Sequence, residues 1–234
     1  MSNVTNPIQA LSEIFYKPAE VFDALNVKHN WSWIPFILVI LLAVTPTYLY
    51  FGFVDFDWYE DLIISLSAAD TSPNEQQLMR DSMSPGAMQI FAVVSGIIVP
   101  VIFSAIVATY LNLVTKNDEQ NTNGFTDWYG FTWWTSLPTL FNGFIAILLI
   151  VMASDHQLTP NSLYPLSIVY ILNIGLDSDW IQWAQMINIP AIWGIYLTGV
   201  GITRWTSIQG TKAYLIAAAP YLVILTVWAG FILV

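Results

Sequence analysis

Apolar runs longer than a soluble core needs alternate along this chain with short polar and acidic stretches. The longest, MQIFAVVSGIIVPVIFSAIVATYLNLV from Met88 to Val114, holds twenty-seven residues without one charge. As a helix it reaches about 40 Å, more than the roughly 30 Å of a bilayer's hydrocarbon core, so the pattern predicts a membrane span. Comparable runs predict four more, at about 34–53, 128–152, 186–203 and 213–234. The first thirty residues lack the basic start and apolar core of a signal peptide and read instead as two short amphipathic helices. In the first, Asn6 caps, Pro7 opens, and Ile8, Leu11, Ile14 and Phe15 recur at helical spacing; Pro18 restarts the pattern with Val21, Phe22 and Leu25. Faces this small predict helices in the interface or against the cytoplasmic ends of the spans.

The segments between the runs decide the topology. Trp31 and Trp33 precede the first span, and Tyr48, Tyr50, Phe51 and Phe53 close it, as aromatic side chains do at headgroup level. From Val54 to Pro85 the chain carries Asp55, Asp57, Glu60, Asp61, Asp70, Glu75 and Asp81 against a single Arg80; Trp58, Leu62, Ile63 and Leu66 predict a surface helix within this loop. Thr126 and Asp127 suit the start of the third span, the first as a cap and the second beside the positive end of the helix dipole. The run from Leu163 to Leu176, fourteen residues, is too short for a comfortable crossing and predicts an interfacial or re-entrant segment. Without that crossing, Lys17, Lys28, Lys116, Arg204 and Lys212 share one side and only Arg80 lies opposite. The positive-inside rule then places the N-terminus in the cytoplasm and the C-terminus outside. The expected fold class is an all-α polytopic membrane bundle of five transmembrane helices, one domain over residues 1–234.

Composition agrees: the chain is 56% hydrophobic and 9% charged, with a mean hydropathy of +0.61. A net charge of -10 with six Lys and Arg argues against nucleic acid. The absence of cysteine excludes disulfides and thiolate metal sites, and His29 and His156 fall on opposite predicted sides.

Motifs with chemistry are few. There is no HExxH, GxSxG or GxxxxGK[ST], and the serines have no credible base, so no catalytic residue, cofactor or metal site is assigned and the chain does not read as an enzyme. Each predicted span contains a proline (Pro46, Pro100, Pro138, Pro190, Pro220), which predicts bent helices and a crevice between them. Thr45, Thr47, Ser95, Ser104, Asn142 and Thr198 lie at hydrocarbon depth, where hydroxyls and amides usually bond between helices, and no charged group accompanies them. The echo Asp55-Phe-Asp57-Trp58 and Asp177-Ser-Asp179-Trp180 is a weak cation signal beside its plainer reading as solvated helix caps. On the cytoplasmic side Asp127, Arg204 and Lys212 are the candidate lipid- or partner-contact residues, through an ion pair to Asp127 or contact with anionic headgroups.

Three segments, NPIQALSEIFYKPAEVFDAL leading to WSWIPFI, GFTDWYGFTWWTSLPTLF, and IWGIYLTGVGITRWTSIQGTKAYLIAAAPYLV, together with the five-span layout, resemble the Yip1-domain family of integral membrane proteins. The resemblance implies a cytoplasmic N-terminus and self-association into a homo-oligomer. Eukaryotic members act in vesicle traffic and bind Rab-type GTPases, whereas bacterial members have no settled activity. The Asp-Leu-Tyr-Gly-Pro signature of eukaryotic members is missing before the first span, so GTPase binding is not carried over. The lack of cysteine and the minimal tail suit a bacterial inner-membrane protein. The expected function is non-enzymatic organisation of membrane lipid or of a protein partner at the cytoplasmic face; the alternative is a lipid or small-solute conduit between bent helices.

Overall fold

The computed structural model describes residues 4–28, 30–68 and 71–233, whose regular elements are all helices; among them the one β-type pairing is an isolated antiparallel bridge between Ser167 and Asn188. Readings that fall on His29, Asp70 and Val234 lie outside the described residues. The helices are α1 (Pro7–Glu13), α2 (Pro18–Leu25), α3 (Trp33–Phe53), α4 (Phe56–Ser67), α5 (Pro73–Ser82), α6 (Pro85–Thr115), α7 (Phe125–Thr135), α8 (Thr139–Met152), α9 (Ile168–Ile171), α10 (Ile181–Met186), α11 (Ile189–Trp205) and α12 (Thr211–Ile232), with a 3-10 turn at Pro160–Leu163. Asn6 caps α1 by accepting from the Gln9 N–H at 2.9 Å, and Pro7 opens it.

Three of these helices are long and apolar enough to cross a membrane: α3, α6 and α12, with mean hydropathies of 2.1, 2.7 and 2.1. A fourth crossing is available if α7 and α8, bent by 40° at their break, count as one. Only 22%, 11% and 6% of the apolar stretches of α3, α6 and α12 are buried by the protein itself, which leaves most of that surface for lipid. The chain is an integral membrane protein. The fifth expected span corresponds to α11, seventeen residues long, or about 25 Å of helix.

The prolines divide into three kinds. Pro46, Pro100 and Pro220 lie inside α3, α6 and α12. Pro138 sits in the turn that ends α7, where hydroxyls take up nearby carbonyls: Thr135 and Ser136 donate to the Thr132 carbonyl at 3.1 and 2.8 Å, and Thr139 to that of Ser136 at 2.7 Å. Pro190 departs from the expected pattern. It is the second residue of α11, where its missing N–H costs nothing, so it bends no helix.

The chain divides into two compact units. The first comprises Met1–Val39, Pro100–Thr139 and Ile189–Val234. Its core gathers Val21 and Phe22 of α2, Trp128, Phe131 and Trp134 of α7, and Leu197 and Ile202 of α11, all essentially inaccessible. In α1 the buried positions are Ala10 and Glu13, followed by Ile14, whereas Ile8 is 74% exposed. Of the expected face, Ile14 is buried and Phe15 packs on Trp193 at 5.4 Å, while Ile8 turns outward and Ala10 takes an inward place.

The second unit comprises Ile40–Val99 and Leu140–Asn188. Tyr50, Phe51, Val54, Ile150 and Leu163 form its core, with Trp58, Tyr59 and Met88 packed against them. A helix is present where one was expected after the first span, as α4. The segment from Leu163 to Leu176 folds as a turn and the four-residue α9, with no helix of crossing length. Asn142 of α8 holds it, donating to the Leu163 carbonyl at 3.0 Å and accepting from the Leu166 N–H at 3.3 Å.

Candidate functional site

A polar face assembles in the first unit from three segments far apart in sequence. Phe22 of α2 packs on Phe131 of α7 at 4.9 Å between ring centroids, and Trp205 of α11 closes on Trp128 at 5.1 Å and Phe131 at 4.9 Å. The Trp205 indole donates to the Phe22 carbonyl at 2.9 Å, a second bond to an oxygen that also accepts from the Asn26 N–H at 3.0 Å. Gly201 makes this stacking possible, because a Cβ there would collide with the Phe131 ring.

Around that aromatic base the polar groups pair across the segments. Arg204 forks onto Asp23, Nε to Oδ1 at 2.7 Å and Nη2 to Oδ2 at 2.5 Å. Asp118, in the turn after α6, accepts from the Ser207 N–H at 3.0 and 3.1 Å and from its hydroxyl at 2.5 Å. The Ser207 hydroxyl and then its N–H hold the Asp118 carboxyl below its ordinary value, because both bonds favour the charged form. Asn123 donates to Asn26 at 3.0 Å, tying the α6–α7 turn to the end of α2. Gly210, with φ of 60° and ψ of -145°, turns the chain into α12 in a conformation that side chains resist.

The three residues marked by sequence lie in this unit but do not pair with one another. Asp127 caps its own helix, accepting from the Gly124 N–H at 2.9 Å, with Gly124 in the cap position in place of Thr126. Arg204 meets Asp23 instead of Asp127. Lys212 is exposed in the first turn of α12 and joins no ion pair among the described residues. Sequence reasoning missed Asp23, Asp118 and Ser207. Asp118 was hidden in KNDEQNTNG, whose composition announces only a loop.

The depth-placed hydroxyls also differ from expectation. Thr45, Ser95 and Thr198 each donate to the carbonyl four residues back in their own helix, at 2.7, 2.7 and 2.8 Å, and so satisfy themselves without a neighbour. In the second unit, Asp55 caps α4 through the Trp58 N–H at 3.3 Å, and Arg80 bridges Asp61 at 2.7 Å and Glu60 at 3.9 Å. Among the described residues no three His, Cys, Asp or Glu side chains come together to hold a metal ion. A crevice of about 390 Å³ is lined by Tyr48 and by Gly86, Gln89, Ile90, Val93 and Val94 of α6.

No curated protein and no solved structure matches the chain. The model of one protein family, described as the Yip1 domain, matches residues 12–231. That match takes in the α2–α11 pairing, the aromatic base and all three residues marked by sequence. The chain belongs to the Yip1-domain family.

Proposed function

We propose that this protein is a non-enzymatic membrane scaffold that crosses the bilayer five times, self-associates, and presents the polar face of its first unit to anionic headgroups and to a protein partner. The N-terminus is then cytoplasmic and the membrane a bacterial inner membrane. One observation carries the reading. The Asp23–Arg204, Asp118–Ser207 and Asn26–Asn123 links hold the face in one arrangement, while Lys28, Lys116 and Lys212 stay exposed near its edges. Lys212 gains nothing from the helix dipole at its position, so an anion near it improves the local electrostatics.

The test uses the full chain in nanodiscs with and without anionic lipid. Wild type should retain anionic lipid on extraction, and the triple substitution K28E, K116E, K212E should lose most of it. Equal retention by both proteins sinks the headgroup contact. Crosslinking in native membranes from a probe at Gln209 tests the partner, and recovery of self-adducts alone would leave only self-association.

The crevice favours a second reading, a conduit for a lipid chain or small solute. Its walls are largely apolar, and its amide, Gln89, donates to the Tyr48 carbonyl at 3.3 Å. Reconstituted protein should then move labelled lipid across vesicle walls, and P100A should change the rate. No protein-dependent movement removes this reading.

A further inference from the structure

Two long helices of the second unit give a depth scale for the chain between them. His156, just past α8, donates from Nδ1 to the Phe53 carbonyl at 2.5 Å, and its own carbonyl accepts from the Asp55 N–H at 2.8 Å, so α3 and α8 end side by side. The exposed Asp55 and Asp155 mark that level as the membrane surface, because a carboxylate is costly any deeper. From there the chain descends. The Leu158 carbonyl accepts from the Tyr50 hydroxyl at 2.8 Å, and the Leu163 carbonyl and the Leu166 N–H both reach Asn142. Asn142 stands about 15 Å along α8 from its end at Met152. Gly143 gives the same depth independently: a Cβ there would lie 2.8 Å from the Leu42 carbonyl, and Leu42 is about 16 Å from the end of α3 at Phe53. Leu163 and Leu166 are therefore about 15 Å below the carboxylates, half of a hydrocarbon core of roughly 30 Å.

The backbone at this level finds its partners inside the protein, as it must away from water. Tyr164, Ser167 and Ile168 donate their N–H groups to the Asn161, Tyr164 and Ile187 carbonyls at 3.0 Å each, and Pro165 has no N–H to place. The Ser167 hydroxyl turns back to the Tyr164 carbonyl at 2.7 Å. Side chains sort the same way. Ser162, Pro165 and Ser167 are buried, whereas the exposed side chains from Leu163 to Leu172 are Tyr164, Tyr170, Ile171 and Leu172, without a charge or an amide. The exposed side chains of α8 from Phe141 onward are apolar too. A loop in water sorts oppositely, with polar side chains outward and backbone groups left to solvent.

We infer that residues 158–174 form a re-entrant segment, which dips to the middle of the bilayer from the side of α4 and turns back, and that Tyr164, Tyr170, Ile171 and Leu172 are its contact surface for the acyl chains of that leaflet. The chain is long enough for the excursion. Asp155 lies eight residues before Leu163 and Asp177 ten after Ser167, and at about 3.3 Å per extended residue both carboxylates stay at the surface. In the five-span reading, on which this depth scale rests through α3 and α8, the leaflet is the outer one.

The test uses the full chain, which has no cysteine of its own, with single labels at exposed positions. Y164C and I171C report the segment, F144C marks the depth of Asn142 on α8, and S154C marks the surface. Each carries a bimane, is reconstituted in phosphatidylcholine vesicles, and is quenched by iodide from water or by lipid bearing a nitroxide near the chain terminus or near the headgroup. Y164C should match F144C, quenched best by the chain-terminal nitroxide and severalfold less by iodide than S154C. I171C, one turn of α9 beyond Ser167, should be quenched by lipid and spared by iodide, and it stands in if Y164C does not fold. With F144C deep, segment labels open to iodide, or Y164C quenched best from the headgroup end, overturn the re-entrant segment and leave the spans intact. Labels spared by iodide and lipid alike have a protein cover, which overturns the acyl-chain contact. F144C open to iodide withdraws α8 from the bilayer and overturns the five-span reading together with this inference.

Discussion

Trp205 joins two kinds of interaction in one side chain: its ring completes the aromatic base with Trp128 and Phe131, and its N–H donates to the Phe22 carbonyl. W205F keeps most of the ring area, and the Phe22 carbonyl keeps the Asn26 N–H as a donor at 3.0 Å, so the loss is one buried hydrogen bond of about 0.5–1.5 kcal/mol, measurable by chemical unfolding in detergent. The Asp23–Arg204 fork is shorter but weaker in consequence. Its side chains are 33% and 44% exposed, and water screens such a pair to about 0.2–1 kcal/mol, so D23N should shift unfolding less than W205F. For Asp118 the sign follows from the direction of its shift. The folded carboxyl sits below its unfolded value, so its contribution is present above the ordinary Asp range near about pH 3.9 and is lost as pH falls through the folded value. The stability difference between wild type and D118N should therefore shrink on acidification. A constant difference across that range would contradict the Ser207 bonds. At this scale little was legible. Asp127 could be placed at a helix start from its neighbours, but Asp23 and Arg204 stand 181 residues apart and nothing local joins them.

Elements were easier to read, because each long apolar run has one physical outlet in water, a lipid-covered helix. The runs at α3, α6 and α12 needed no tertiary information. In α1 the expected face departs at Ile8, which is outward while Ile14 is buried, because periodicity reports which residues are apolar and lipid and protein both accept them. The segment after Leu163 was read correctly as too short to cross, but what holds it, Asn142, looked like any polar residue in a span. N142L should leave the Leu163 carbonyl and the Leu166 N–H without partners, at about 1–3 kcal/mol each if they stay buried. Amide exchange should then quicken across residues 163–171 while α12 is unaffected, and uniform exchange throughout would count against a local anchor.

For the whole molecule the family and the membrane class were legible, and the five-span topology is a proposal with a direct check. Because the chain contains no cysteine, single substitutions report sidedness without background. N117C should react with an impermeant reagent only from the cytoplasm and D179C only from outside. D179C labelled from the cytoplasm would reverse the arrangement of the last two expected spans. What sequence could not convey was the closing of the polar face, since Asp118, Ser207, Asn26 and Asn123 acquire meaning only when α2, the α6–α7 turn and the end of α11 meet. The bridge between Ser167 and Asn188 has a practical counterpart at this scale. It staples both ends of an exposed stretch around Gly175 and Asp177, and enlarging a closed loop costs only about 0.6 kcal/mol per doubling of its length. An epitope or a small fluorescent domain spliced between those two residues should ride on the folded protein and give a handle for imaging or antibody capture while both termini stay native.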